Sequence, residues 1–345
     1  MVKKNVSIFF VVICFQAIMH NTVSAGSVNV SLRVASKAFA NGDHKSIMRV
    51  ENYSRSASID EPRSALAHWL RAQSLFTMAG IDLEYEDLDK QFVDEAFVRS
   101  LPIPVDRFPA NIIGIPKDNS LIKTVLIMET SGTRLFVYQL SSSGKLRLSE
   151  VFYASIGLSG DNKVKEGDQK TPLGVYRLIK EIKNPKKLRA DGLLGRLAIT
   201  LDYPNADDRK SGRTGYGIWI HGVPEGVHVR EPRASDGCLA LSNEDITKLR
   251  NYVRYGITHI IIVPKIDWIA AEEWDRLNDS IRKVFENGES IKMGAKQFES
   301  DLLGYFRVSK DRPSVALKKS EKGLEREYWI ESPRGLNKKI TERLQ

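Results

Sequence analysis

WIHGVPEGVHVREPRASDGCLAL, residues 219–241, is the stretch from which the rest of the chain can be read. A histidine stands beside a glycine, His221 and Gly222. Seventeen positions after the histidine a cysteine stands beside another glycine, Cys238 and Gly237. The chain has two cysteines, and the other, Cys14, lies in an apolar N-terminal run with the features of a cleaved leader. Export would leave Cys238 as a lone thiol, and an unpaired thiol in an oxidising compartment reads as reactive. Cys238 is therefore expected to be a nucleophile and His221 its base.

A thiol attacks efficiently only as the thiolate, which needs a base or positive surroundings. Gly222 lets chain or substrate come close to the histidine. Gly237 permits a tight turn from which backbone N–H groups could hold an oxyanion. Ser235 and Asp236 would orient the site or touch substrate. Spacing alone leaves other readings open, because a histidine and a cysteine 17 apart also arise by chance as packed residues. A zinc site built from His221, His228 and Cys238 has no standard spacing and lacks a fourth ligand. No C-x-x-C supports dithiol redox chemistry.

Moving outward, KTVLIMET, a Ser131-Gly132 turn and TRLFVYQL read as a β-hairpin. LSEVFYASIGLSG continues the strand pattern before a charged, Gly-rich loop. Residues 183–216, rich in Lys, Arg, Asp and Gly, read as long loops over a sheet. GIWIHG is a strand leading into the site. Beyond the cysteine, Ser242 with Asp245 suggests a capping box for the helix SNEDITKLRNYV, and ITHIIIVP reads as a closing strand. The expected fold is mainly β, with one helix near the cysteine.

The flanks differ in character. SALAHWLRAQSLFTMAG, from Ser64, carries Leu66, Trp69, Leu70 and Phe76 near helical spacing and stops at Gly80. LEYEDLDKQFVDEAFVRSL reads as a second helix whose Glu84, Glu86, Asp87 and Asp89 form a solvated acidic face, since metal-ligand spacing is missing. Pro102, Pro104, Pro109 and Pro116 mark a linker. After residue 265, IDWIAAEEWDRLNDSIRKVF reads as an amphipathic helix followed by basic, mixed sequence.

The 42% hydrophobic content is that of a globular protein. Lys3 and Lys4, an apolar core over 6–19 and Val23-Ser24-Ala25 form a secretory leader whose core is shorter than the ~20 residues of a membrane helix. Cleavage removes two lysines and no acid, taking the net charge from +9 to +7. That excess suits a polyanionic surface such as a cell wall, while the lack of a basic stripe interleaved with aromatics points away from nucleic acid. The protein is expected to be exported to the periplasm or cell envelope, without a stable membrane span after cleavage.

IHG followed by SDGCLALSNEDI resembles the signature of the YkuD-type L,D-transpeptidases, and EGDQKTPLGVYRL resembles the strand approach of the same family. GRTGYGIWIHGVPEG and PRASDGCLAL resemble the subgroup of helical-cell-shape LD-carboxypeptidases. The resemblance implies a β-sandwich catalytic domain over 121–265, after a leader at 1–25 and a helical region at 26–120. Residues 266–345 would follow as a small α+β extension similar to part of an NTF2-like domain. It also implies peptidoglycan stem peptides as substrate, Cys238 and His221 as catalytic residues, and Gly237, Gly222 and Ser235 in oxyanion or supporting roles. Asp236, Arg233, Arg230, Tyr216 and Trp219 would contact substrate, and no metal or cofactor is implied. Many members carry His or Arg at the position of Asp236 and Arg at that of Ala240, so Arg233 or Arg230 is expected to take over recognition of a substrate carboxylate.

Overall fold

The computed structural model describes residues 44–60, 65–80, 103–104, 106–116, 121–141, 144–185, 192–227, 230–287, 302–309, 312–321, 323–333 and 335–344. The chain divides into two compact units, 1–103 with 226–232, and 104–225 with 233–345. The expected leader and the acidic segment that follows Gly80 lie outside the described residues.

The described part of the first unit is a pair of helices, α1 (His44–Asp60) and α2 (Ala65–Met78), the second where the 64–80 periodicity predicts it. Val50, Ser54, Ser58, Ala67 and Ser74 are buried. Small side chains let two helices approach closely, and Glu51 on α1 pairs with Arg71 on α2 at 3.7 Å. The side chains of Leu66, Trp69 and Leu70 are outside the described set. Among the described residues no helix is long and apolar enough to cross a membrane.

The second unit is mostly β, as the sequence predicts. Its first strands are β1 (Arg107–Pro109), β2 (Ile112–Ile113), β3 (Thr124–Glu129), β4 (Arg134–Leu140), β5 (Leu146–Tyr153), β6 (Ile156–Gly157), β7 (Gly174–Lys183) and β8 (Leu197–Leu201). Around the cysteine come β9 (Trp219–His221), β10 (Arg233–Ser235), β11 (Leu239–Ala240), β12 (His259–Val263) and β13 (Trp268–Ala270). The chain closes with β14 (Leu302–Phe306), β15 (Ser314–Ser320), β16 (Gly323–Ser332) and β17 (Gly335–Leu344). Its described residues also form the helices α3 (Ala206–Lys210), α4 (Asn243–Arg250) and α5 (Ala271–Asn287).

Eight strands form one sheet in the order β11-β9-β8-β7-β12-β3-β4-β5. Its centre is β3 and β12, parallel to each other and buried along their whole length. Continuous apolar runs such as HIIIV suit strands covered on both faces. β3 and β4 form the expected hairpin. Glu129 at the end of β3 is 1% exposed. Its charge is compensated by Arg134 at 2.6 Å and by the backbone N–H of Ile266 at 3.1 Å.

One expectation needs correction. Residues 183–216 are not only loops, because β8 lies there between β7 and β9, followed by α3 with a capping box at Asn205. LAITL is a five-residue buried run without alternation, set between strongly charged flanks, so window composition hides it.

A second, antiparallel sheet has the order β17-β16-β15-β14-β2. The proline-marked stretch thus carries two short strands that pair far along the chain, β1 with β13 and β2 with β14. α5 is the expected amphipathic helix. Its Trp274 Nε1 donates to Ile112 O at 2.8 Å, and Phe285 packs on Tyr305 and Trp329.

Between the two sheets lies a buried ionic knot. Arg326 on β16, 1% exposed, donates to Asp202 at 2.6 Å, to Glu342 at 2.8 Å and to Val175 O at 3.2 Å. Close by, His259 on β12 is fully buried, 6.1 Å from the ring of Phe306. Its Nδ1 donates to Ile257 O at 2.7 Å, and Nε2 has no hydrogen-bond partner among the described residues. Burial, helped by the charges of Arg326 and Arg177, pushes its pKa down to about 3. An unfolded histidine protonates near pH ~6.5. The folded state keeps His259 neutral, so its contribution is complete above that pH and is lost as pH falls from about 6.5 toward 3. We expect His259→Gln to flatten this part of the stability curve, read as urea midpoints between pH 7 and pH 4.5. An unchanged slope would remove His259 from the explanation.

Candidate active site

β9 and β11 run parallel at one end of the large sheet, with Ile220 opposite Leu239 and His221 opposite Ala240. One position earlier the same register sets Cys238 beside Trp219, whose backbone N–H donates to Cys238 Sγ at 3.4 Å. Side chains alternate along strands. Trp219 and His221 therefore share one face of β9, and Cys238, just before β11, has its sulfur beside Trp219. Seventeen residues of separation become two positions of register.

His221 is 3% exposed. Its Nδ1 lies 2.6 Å from Gly222 O, and because a carbonyl only accepts, the proton belongs on Nδ1. In the neutral ring that leaves the Nε2 lone pair to accept a proton. Cys238 is half-buried, with its thiol donating to Gly217 O at 3.3 Å. The Trp219 N–H is a donor the sulfur keeps once it has lost its proton.

The glycine after the histidine has a spatial reason. A Cβ on Gly222 would stand 2.3 Å from Asn243 Oδ1. Asn243 opens α4, whose N-cap Ser242 accepts from Asp245 N at 3.0 Å, as the capping signal predicts. Its side chain accepts from Arg196 N at 3.2 Å and donates to Val223 O at 2.8 Å. Asn243 thus buttresses the histidine turn. The sequence reading missed it, although it directly follows the cap residue.

The cysteine turn is equally constrained. Gly237 has φ +119°, and a Cβ there would meet Lys170 O at 2.6 Å. Ser235 Oγ donates to Cys238 O at 2.7 Å and accepts from Gly237 N at 3.2 Å. Ser155 and Ala240 exchange backbone bonds of 2.9 and 3.0 Å on the other side. Gly237→Ala combines an unfavourable φ with a backbone clash. We expect it to cost about 1–3 kcal/mol of stability and to lower any thiol-dependent turnover at least ~10-fold, measured by denaturant titration and progress curves.

The remaining expected residues are dispersed. Asp236 is exposed and accepts from Gln169 Nε2 at 3.3 Å. Arg233 is exposed on β10, which pairs with β6, and its guanidinium passes beside Gly160. Tyr216 is 77% exposed. Arg230 belongs to the first unit, and His228 lies outside the described residues. Among the described residues no three His, Cys, Asp or Glu side chains cluster as a metal site.

Residues 123–262 match the family model of the YkuD L,D-transpeptidase catalytic domain. No curated protein sequence matches the chain. Among solved structures, Bd1075 of Bdellovibrio bacteriovorus aligns with a TM-score of 0.54 and 23% identity, over 69% of this chain and 98% of that one. Pgp2 of Campylobacter jejuni, described as a helical cell shape determining protein, aligns with a TM-score of 0.46 and 20% identity, over 68% and 93% of the two chains. The likeness to Bd1075 is one of fold.

Proposed function

We propose that this chain, whose residues 123–262 match the YkuD L,D-transpeptidase catalytic domain, is a peptidoglycan-modifying cysteine enzyme of the cell envelope. Its substrate is a tetrapeptide stem. The observation that carries the reading is the register of β9 and β11, with Trp219 N–H at the sulfur of Cys238 and His221 two residues further along the same strand.

In the proposed reaction His221 Nε2 takes the thiol proton, and the sulfur attacks the carbonyl carbon of the diamino acid at stem position three. Backbone N–H groups of the Gly237–Cys238 turn meet the oxyanion. The C–N bond to the terminal D-Ala breaks, and the imidazolium returns the proton to the leaving amine. A thioester on Cys238 remains. Water then yields a tripeptide, or an amine from a second stem yields a 3→3 cross-link. Either acceptor gives its proton to His221 as it adds, and the collapsing intermediate expels the sulfur, reprotonated to thiol. Ala240 stands opposite His221, where many family members carry arginine. We assign recognition of the substrate carboxylate to Arg233, on the strand just before the cysteine turn.

Purified muropeptides incubated with the mature protein and analysed by mass spectrometry test this reading. Tripeptides without new dimers would identify trimming, and new 3→3 dimers would identify cross-linking. Unchanged tetrapeptides with no acyl-protein adduct would defeat the enzymatic reading and favour a wall-binding role on the same fold.

A further inference from the structure

Two hydroxyls hold the peptide groups on either side of Cys238. Ser235 Oγ donates to Cys238 O at 2.7 Å, and Thr171 Oγ1 donates to Gly237 O at 3.0 Å. Ser235 lies within the cysteine motif. Thr171 arrives from a separate loop, 67 positions before the cysteine.

We propose that Thr171 is a positioning residue of this site: its hydroxyl sets the plane of the Gly237–Cys238 peptide and hence the direction of the Cys238 N–H toward the oxyanion. The proposal rests on the thioester reading above. A trans peptide is planar, with C=O and N–H pointing opposite ways, so anchoring the oxygen aims the N–H. The anchor matters most here because Gly237, at φ +119°, has no Cβ to restrain its rotation. Without a bond at its carbonyl, this is the peptide of the turn with the most freedom to tilt.

The hydroxyl's role is determined by its two neighbours. Gly157 N donates to Thr171 Oγ1 at 2.9 Å, which occupies the oxygen as acceptor and leaves its proton for Gly237 O. Thr171 is fully buried, and its β-branched side chain has few rotamers to choose from. Its backbone is tied at both groups, N–H to Gly160 O at 2.9 Å and C=O from Lys163 N at 3.2 Å. The close approach needs glycine at 157, where a Cβ would stand 2.3 Å from Gln169 O.

The loop that presents Thr171 is itself stapled. Asp168 accepts from Lys163 Nζ at 2.7 Å and from the backbone N–H groups of Val164, Lys165 and Lys170 at 2.8, 3.0 and 3.2 Å. Burial opposes its charge, but the Lys163 ammonium and these donors outweigh burial and hold the carboxyl well below the ordinary carboxylate range. Asp168 folds the loop, and Thr171 carries that rigidity to the cysteine.

A residue that aims an oxyanion donor acts in the transition state, so its loss falls on kcat rather than KM. With a tetrapeptide-stem muropeptide as substrate, Thr171→Val is expected to lower kcat about 10- to 100-fold with KM within about 2-fold. The rate of Cys238 alkylation by iodoacetamide against pH should stay as in the parent protein, since alkylation forms no oxyanion. Thr171→Ser keeps the hydroxyl and should recover kcat to within about 3-fold of the parent. If Thr171→Val does not fold, Thr171→Ala reads the same lost hydroxyl with less crowding. Parent-like kcat in the Val variant, a Ser variant as slow as the Val variant, or a loss confined to KM or to the alkylation profile would overturn the proposal. A parent protein that releases no D-Ala would instead defeat the thioester reading on which it rests.

Discussion

Cys238→Ala is expected to abolish D-Ala release and acyl-protein formation, a loss of about 10⁴-fold or more in turnover. Cys238 is the one free cysteine among the described residues, and the nearby Ser235 hydroxyl is already engaged with Cys238 O and Gly237 N. The same substitution should leave stability within about 1 kcal/mol of the parent. The sulfur's contacts with Gly217 O and Trp219 N are long, 3.3 and 3.4 Å, and the residue is half-buried. That combination separates a chemical cysteine from a structural one, which would show the reverse pattern. Two measurements check it: intact-protein mass after a single turnover with a tetrapeptide stem, and the denaturant midpoint of the variant. Iodoacetamide should add one group to the mature parent protein and none to the variant. Turnover that survives the substitution would end the cysteine mechanism.

Arg326→Leu should have the largest effect on folding, about 3–5 kcal/mol, or a fall of roughly 10 °C in Tm. The guanidinium is buried between β7 of the large sheet, through Val175 O, and the acids Asp202 and Glu342. Its removal leaves those carboxylates in a site from which water is largely excluded. Tyr328 and Arg209 still reach Glu342, and Arg177 stands 3.8 Å from Asp202, so compensation is partial. Neutralising the acids as well, with Asp202→Asn and Glu342→Gln added to Arg326→Leu, should recover part of the loss, since an uncompensated charge costs more than an uncharged group. Urea titrations of the single and triple variants measure both effects. A single variant within 1 kcal/mol of the parent would show that the knot is not what joins the two sheets.

Local features were legible in the amino-acid order. The β3–β4 hairpin, α2, α5 and the Ser242 cap each rest on contacts within a few residues, which periodicity and capping chemistry report directly. The candidate site was half legible. Cys238, His221 and their glycines stand out because a thiol and an imidazole, each beside a glycine, are chemically conspicuous. Thr171 and Asn243 fall inside the motifs EGDQKTPLGVYRL and SDGCLALSNEDI, yet nothing there marks what their side chains do, and Arg326 does not stand out at all. An asparagine at a helix start, a threonine in a loop and an arginine on a strand are ordinary locally, and their importance comes from partners up to 151 residues away.

By itself, then, the sequence determined the class of the fold and singled out Cys238 and His221 as the candidate pair. These follow from side-chain chemistry, alternation and turn propensity. Only the tertiary structure decided that β8 enters the sheet, that 107–113 pairs with strands beyond residue 267, and that Thr171 reaches the cysteine turn. The physical reason is the same for each. Strand pairing and hydrogen-bond satisfaction are set between segments distant in the chain, and backbone donors and acceptors carry no mark of their partners in the residues that bear them.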